Sequence, residues 1–180
     1  NGHLYFAGQD TVELAKQYFD VFPNPDGEEA PQQEQGYIHE RVFKKKDTEQ
    51  LHLCLGFPGI GAESDDIYPL AVFNNAIGGG MSSRLFQRIR EELGMAYSVY
   101  TYSSSYQNAG VFNIYAGTTP ANGPVVLKEI QEQLRLFLKE GISEKEFASA
   151  KAQLRGGFVL GLESSSGRMQ SIGRGMLLHG

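Results

Sequence analysis

The order of the strand and helix patterns along the chain is the feature that most limits how it can fold. From residue 37 onward the sequence reads as two strands, two helices, two strands and three helices, with no strand–helix–strand alternation. Parallel strands need a long crossover between them, so strand patterns joined by short turns predict antiparallel pairing. We therefore predict an α+β fold in which an antiparallel sheet has its helices packed on one face.

Four segments carry the strand patterns. Residues 37–45 and 51–57 are predicted to be the first two strands, and the second of them shows the clear alternation of a half-buried strand. Residues 97–106 and 111–116 are predicted to form a hairpin across the turn "QNAG", which has the composition of a tight turn.

The second predicted strand has two different faces. Its leucines and Phe57 alternate with His52, Cys54 and Gly56. Cys54 lies within an apolar run, which favours a small core residue over a nucleophile. His52, like His39 in the preceding strand, is interpreted as a strand residue that faces a neighbour or solvent, since no companion ligand stands near it.

Glycine and capping residues mark where the helices begin and end. The three glycines at 78–80 and the single Gly94 are expected to terminate two helices, because glycine readily adopts the conformation that ends a helix. Ser143 and Glu146 have the spacing of a capping box, in which each side chain accepts from the other residue's backbone N–H. A helix is therefore predicted to start at residue 144.

The chain divides into three parts by composition. Residues 1–22 read as one strand and one helix, which cannot enclose a core, so we expect the end of a preceding, incomplete domain. Residues 23–36, with three prolines, two glycines and many acids and amides, have the composition of a linker. Residues 37–180 are predicted to be a carboxy-side α+β domain that is truncated at its end.

Charge and hydropathy exclude several classes of partner. The net charge is −5, and the basic residues are scattered except for Lys44, Lys45 and Lys46, which argues against nucleic-acid binding. No stretch approaches the roughly 18 apolar residues of a membrane span, so no membrane partner is expected. No signal peptide is visible at the start, from which we expect a cytoplasmic protein.

The common catalytic motifs are missing from the sequence. The four histidines show neither H-E-x-x-H nor its inversion H-x-x-E-H, so no metal ligands are predicted in this chain. No G-x-S-x-G nucleophile turn is present, and the segment "GGGMSS" lacks the lysine of a phosphate-binding loop. The sequence therefore contains no recognisable motif for zinc binding, for a nucleophilic serine or for nucleotide binding.

One helix and the strand after it remain as a source of chemistry, through Arg88, Arg90 and the tyrosines that follow. Arg90 stands one turn beyond Phe86, and Tyr97 opens the next strand just past Gly94, so the two polar side chains could converge on one acceptor. On pattern alone a structural interpretation is favoured, in which Arg90 pairs with Glu91 or Glu92 and Tyr97 is half-buried in the sheet.

A family resemblance favours the functional interpretation of Arg90 and Tyr97 over the structural one. The segment "NNAIGGGMSSRLFQRIREELGMAYSVYTY" closely resembles the second structural domain of zinc metallopeptidases of the insulinase and mitochondrial processing peptidase family, also called the pitrilysin family. In that domain a glycine-rich break, "SSRLF", "IREELG" and "AYSV" recur in this order. The resemblance continues through "GISEKEFASAKAQLRGGFVLGLESSSGRMQSIGRGMLLHG" and covers about residues 37–180.

The resemblance implies roles for two residues. In the family, zinc is bound in the first domain, and the next domain contributes an arginine and a tyrosine seven positions apart. Arg90 and Tyr97 match that spacing, which implies that Arg90 holds the substrate main chain and Tyr97 donates a hydrogen bond to the developing oxyanion. The implied cofactor is zinc, bound by a domain absent from this chain, and the implied partners are a peptide substrate and a zinc-bearing upstream domain or subunit, in a dimer or two-halved chamber.

The absence of zinc ligands and of a catalytic glutamate from these 180 residues is a departure from the family pattern. We therefore expect a fragment of a metalloendopeptidase that is inactive by itself. The alternative is a non-catalytic core or assembly subunit of the same fold. A third interpretation is an α+β ligand-binding module unrelated to this family, which would gain support if Arg90 and Tyr97 pointed to different parts of the surface.

Overall fold

A computed structural model of the chain describes residues 13–14, 16–18 and 36–179. The strand predicted near residue 4 and nearly all of the predicted linker lie outside the described residues, while residues 13–14 and 16–18 are helical as expected. The chain divides into two compact units, of which the larger is Glu34–Phe158 and the other contains Val159–Gly180. The sheet and the candidate site lie in the larger unit.

The sheet has three strands, β1 (Leu51–Pro58), β2 (Ala96–Ser105) and β3 (Gly110–Thr118). β3 lies in the middle and pairs antiparallel with both neighbours. β2 and β3 form the predicted hairpin, which is closed by a hydrogen bond from the N–H of Tyr106 to the carbonyl of Ala109 at 2.7 Å. The prediction of an antiparallel sheet is confirmed.

The strand predicted at residues 37–45 is wrong. The segment is exposed and has no regular secondary structure. It contacts β1 through a hydrogen bond of 3.1 Å that the Tyr37 hydroxyl donates to the carbonyl of Gly56. A strand exists only when its backbone N–H and carbonyl groups have a partner strand, and none of the described residues pairs with this segment.

Five helices connect and follow the strands; they are α1 (Ile67–Gly78), α2 (Phe86–Glu92), α3 (Gly123–Glu140), α4 (Glu144–Gly161) and α5 (Ser165–His179). The chain leaves α2 and α3 through Gly94 and Gly141, which have positive φ angles of 62° and 73°. The start of α4 confirms the capping box, since the Ser143 N–H donates to Glu146 Oε2 at 2.9 Å and the Glu146 N–H donates to Ser143 Oγ at 3.3 Å. Among the helices that the structure describes, none combines the length and the hydropathy of a membrane-spanning segment.

The core lies between one face of the sheet and helices α1, α2 and α3. Leu55 of β1 stands opposite Ile114 of β3, which stands opposite Thr101 of β2, so one row of the inner face crosses all three strands. The helices bury their apolar residues against this face; the buried members of the cluster are Ile77, Leu85, Ile89, Ala96, Val99, Phe112, Ile114, Ala116, Val126 and Ile130. This arrangement confirms the α+β fold with helices on one face.

The opposite face of the sheet carries polar and aromatic side chains. The His52 ring nitrogen Nδ1 lies 2.7 Å from the Tyr115 hydroxyl, which agrees with the interpretation of His52 as a strand residue facing a neighbour. The expectation of a buried Cys54 is wrong, because Cys54 alternates with the core leucines and is exposed. Strand alternation outweighs the apolar character of its sequence neighbours.

Candidate functional site

Helix α2, which carries Arg90, is wound as a π-helix. The N–H of Leu93 donates to the carbonyl of Arg88 at 3.2 Å, five residues back, and the N–H of Met95 donates to the carbonyl of Ile89 at 2.9 Å. Ile89 is completely buried and holds the helix to the core. Sequence periodicity predicted an ordinary helix here; π-helical turns are uncommon and are often found at functional sites.

Tyr97 is the extra residue of a β-bulge. Ala96 pairs with Thr118 and Ser98 pairs with Gly117, so Tyr97 has no partner on β3. A bulge bends its strand and redirects a side chain. Tyr97 is consequently 77% exposed. The interpretation of Tyr97 as half-buried in the sheet is wrong.

The structure places the side chains of Arg90 and Tyr97 together. The guanidinium carbon of Arg90 lies 5.8 Å from the centre of the Tyr97 ring and 4.9 Å from the centre of the Phe86 ring. Both distances are within the roughly 6 Å range of a cation–π contact. The divergence of Arg90 and Tyr97 that would have favoured an unrelated ligand-binding module is therefore not observed.

The other two arginines of this region are used structurally. Arg84 donates to both carboxylate oxygens of Glu146 and, at 2.8 Å, to the carbonyl of Gly141. The hydrogen bond from Arg84 is the largest cause that lowers the pKa of Glu146 to about 2. Arg88 donates to Glu92 at 2.8 Å and to Glu129 at 3.0 Å.

Arg90 keeps its hydrogen-bond donors available. Its closest carboxylate is that of Glu91, at 3.8 Å from Nε, which is too long for a hydrogen bond. Glu92, the other predicted partner, pairs with Arg88 instead. Among the described residues, Arg90 donates no hydrogen bond, so its N–H groups can bind an external acceptor.

A cleft of about 400 Å³ opens beside Arg90. Phe86 and Tyr100 contribute rings to its walls, and the three glycines at the end of α1, residues 78–80, contribute backbone. A side chain at Gly78 would collide with Thr101, so glycine allows the end of α1 to lie directly on β2. The glycine run thus serves close packing at the cleft as well as helix termination.

Zinc does not fit the residues that the structure describes. No three histidine, cysteine, aspartate or glutamate side chains converge within this part of the chain. His52, on the sheet, is hydrogen-bonded to Tyr115. A catalytic zinc needs three protein ligands in one place. The described residues can bind and orient an acceptor but cannot hold the metal.

Two features of the site escaped sequence analysis. Phe86 was placed one turn before Arg90, but no contact between the two side chains was predicted, although a spacing of four residues is the signal for one. The bulge at Tyr97 has no signal in a single sequence, because it depends on the register with β3.

Comparison with known sequences gives consistent results. Over 141 residues the chain is 46% identical to a Bacillus subtilis protein named uncharacterized zinc protease YmxG, covering 78% of this chain and 34% of that protein. It is 43% identical over 133 residues to an uncharacterized zinc protease of Streptomyces coelicolor, covering 74% of this chain and 29% of the relative. The chain thus spans about a third of the length of these relatives.

Solved structures share the fold. A peptidase M16 inactive domain from Pseudomonas fluorescens superposes with a TM-score of 0.65 at 29% identity, covering 71% of this chain and 30% of that one. A protease from Helicobacter pylori gives 0.75 at 24% identity over 96% of this chain and 43% of its own. A chain of Complex III2 from Candida albicans gives 0.65 at 21% identity over 75% of this chain and 34% of its own. The last two likenesses show the fold alone.

The family match covers most of the chain. Residues 3–154 match the family described as the peptidase M16 inactive domain. This agrees with the resemblance to the insulinase and processing peptidase group that the motifs between residues 74 and 102 indicate. The chain therefore belongs to the peptidase M16 family, in the group described as its inactive domain.

Proposed function

We propose that this chain is part of a zinc-dependent metalloendopeptidase and supplies the residues that hold the peptide and stabilise the oxyanion. Two relatives at 43% and 46% identity are named zinc proteases, which supports the reaction class. One observation carries the proposal. Arg90 lines an open cleft, lies beside the exposed Tyr97, and has N–H donors that form no hydrogen bond with the described residues.

The two side chains have complementary tasks in the proposal. Arg90 offers several N–H donors in one plane, which suits a main-chain carbonyl of an extended peptide. Tyr97 offers one O–H donor, which suits the oxygen that becomes negative when the scissile carbonyl is attacked. Arg90 lies on α2 and Tyr97 at the start of β2, and only a short turn separates these elements, so their backbones are placed side by side before the substrate binds.

The proposal is limited to binding and charge stabilisation. None of the described residues supplies a metal site, so the nucleophile belongs to a zinc-bearing upstream domain or partner subunit, with the peptide enclosed between two halves. The family description of the domain as inactive supports this division of labour. We also propose that the protein acts in the cytoplasm.

The test is the Tyr97→Phe variant of the full-length protein, assayed for peptide hydrolysis with its zinc content measured. The variant keeps the ring against Arg90 and removes only the hydroxyl, so kcat should fall by about 10²- to 10³-fold, as for loss of one oxyanion donor. Tyr102→Phe, on the same strand and also exposed, is the matched control and should keep full activity. An unchanged kcat in Tyr97→Phe with zinc bound would refute the role of Tyr97.

A second candidate is a non-catalytic assembly subunit. It is favoured by the description of the domain as inactive and by the fold shared with a chain of Complex III2 from Candida albicans. A full-length protein that binds no zinc and hydrolyses no peptide would support this candidate. Zinc bound in a one-to-one ratio with hydrolysis that depends on Arg90 would exclude it.

A further inference from the structure

We infer that Phe86 is a positioning residue for Arg90: its ring holds the guanidinium by its flat face and leaves the N–H edge free for the peptide. The inference rests on the proposed function, in which Arg90 binds the substrate main chain. It concerns how Arg90 is kept ready, and it assigns no contact between Phe86 and the substrate.

The geometry brings Phe86 and Arg90 together on one side of α2. They are four residues apart, which makes them neighbours on the helix surface. The guanidinium carbon is closer to the Phe86 ring, at 4.9 Å, than to the Tyr97 ring, at 5.8 Å. Phe86 is half-buried and packs against the core cluster, so its ring is anchored on one side and meets Arg90 on the other.

The kind of contact that orients an arginine decides how many of its N–H donors remain available to bind a ligand. Arg84 and Arg88 are held by carboxylates, which occupy the same N–H groups that would bind a carbonyl. An aromatic face attracts the cation through its quadrupole and uses none of these donors. Arg90, whose contact with the Glu91 carboxylate is no closer than 3.8 Å, is thus oriented while its N–H donors stay available for a substrate carbonyl.

Glu91 is the group that competes for Arg90. Its carboxylate lies 3.8 Å from Arg90 Nε, and a small side-chain rotation would turn this contact into a hydrogen-bonded ion pair. With the Phe86 ring removed, the guanidinium would lose its nearest support and become free to turn toward Glu91. The expected consequence is weaker peptide binding, with KM more affected than kcat.

The experiment is a double-mutant cycle in the full-length protein, with Phe86→Leu, Arg90→Met and both changes together. Phe86→Leu should lower kcat/KM by about 2- to 5-fold, which is the cost of one exposed cation–π contact of about 0.5 to 1 kcal/mol converted at 1.36 kcal/mol per tenfold. In the Arg90→Met background the same change should have no further effect. Phe86→Tyr, which keeps the aromatic face, should retain activity.

Each outcome of the cycle has one meaning. If Arg90→Met leaves kcat/KM unchanged, the proposed function is wrong. If Arg90→Met lowers kcat/KM but Phe86→Leu does not, or lowers it equally in both backgrounds, Phe86 does not act through Arg90 and the inference is wrong. Phe147→Leu, the same change at a half-exposed phenylalanine of α4, is the matched control and should be neutral. Phe86→Met replaces Phe86→Leu if the latter fails to fold.

A crystal structure of the folded Phe86 variant gives a readout that does not depend on activity. The guanidinium of Arg90 should leave its position over Tyr97 and approach Glu91. Adding Glu91→Gln should then restore part of the lost kcat/KM, because the competing charge is gone. An Arg90 side chain that stays over Tyr97 in the variant would overturn the inference.

Discussion

Glu146→Gln should destabilise the protein in a way that depends on pH. Glu146 closes the capping box of α4 with Ser143 and also receives two hydrogen bonds from Arg84, which precedes α2. Glutamine keeps the length of the side chain and can still accept from Ser143, so the substitution removes chiefly the charge. The variant therefore isolates the ionic part of the link between α4 and the turn before α2.

The expected magnitude follows from the pKa of Glu146, which falls from 4.5 to about 2, mainly through the Arg84 hydrogen bond. At 1.36 kcal/mol per pH unit this corresponds to at most about 3.4 kcal/mol. Solvent reaches 26% of the side chain and weakens the charge interaction, so we expect about 1 to 2 kcal/mol near neutral pH. The folded state binds the proton less tightly than the unfolded state, so this stability is present above about pH 4.5 and is lost as the pH falls toward about 2.

Urea unfolding followed by circular dichroism at a series of pH values measures this difference. Glu144→Gln is the matched control, since Glu144 stands in the first turn of the same helix and experiences the same helix dipole. The free-energy difference between the protein and Glu146→Gln should shrink to near zero by about pH 2, while Glu144→Gln should stay close to the parent. A difference that is absent near neutral pH, or that does not change with pH, would refute the charge-based explanation.

Three further substitutions test the backbone and the core by the same unfolding measurement. Gly94→Ala should cost about 1 to 2 kcal/mol, because φ is +62° there and no neighbour lies near enough to compensate or to clash. Gly157→Ala, inside α4 with open space around it, should stabilise by about 0.5 to 1 kcal/mol; a loss would contradict the helical backbone assigned to it. Ile89→Val should cost about 0.5 to 1.5 kcal/mol, and a neutral result would contradict its complete burial.

Features that depend on a few adjacent residues could be read from the sequence. Gly94 ends its helix as predicted, because only glycine takes a positive φ angle without strain. The Ser143–Glu146 capping box forms because its two partners are three residues apart and need nothing else. The hairpin likewise depends on a short turn between two apolar segments.

Features that depend on a distant partner could not be read in this way. Residues 37–45 have the composition of a strand but find no partner among the described residues, and composition alone cannot supply one. Cys54 is a different case, because the alternation of β1 is visible in the sequence and already places Cys54 on the face opposite the core leucines. For residues 37–45 the deciding interactions would connect residues far apart in the chain.

The candidate site shows the same division. The sequence by itself determined the seven-residue spacing of Arg90 and Tyr97, the glycines around their helix and hence the side chains that could meet, because these follow from local backbone geometry. Only the tertiary structure decided that a bulge turns Tyr97 toward solvent. It also decided that Glu146 and Glu129 form ion pairs with Arg84 and Arg88, while Arg90 lies against the ring of Phe86 with its N–H donors available. The physical reason is that strand register and ion-pair partners are set by contacts between distant segments, which form only when the core has packed.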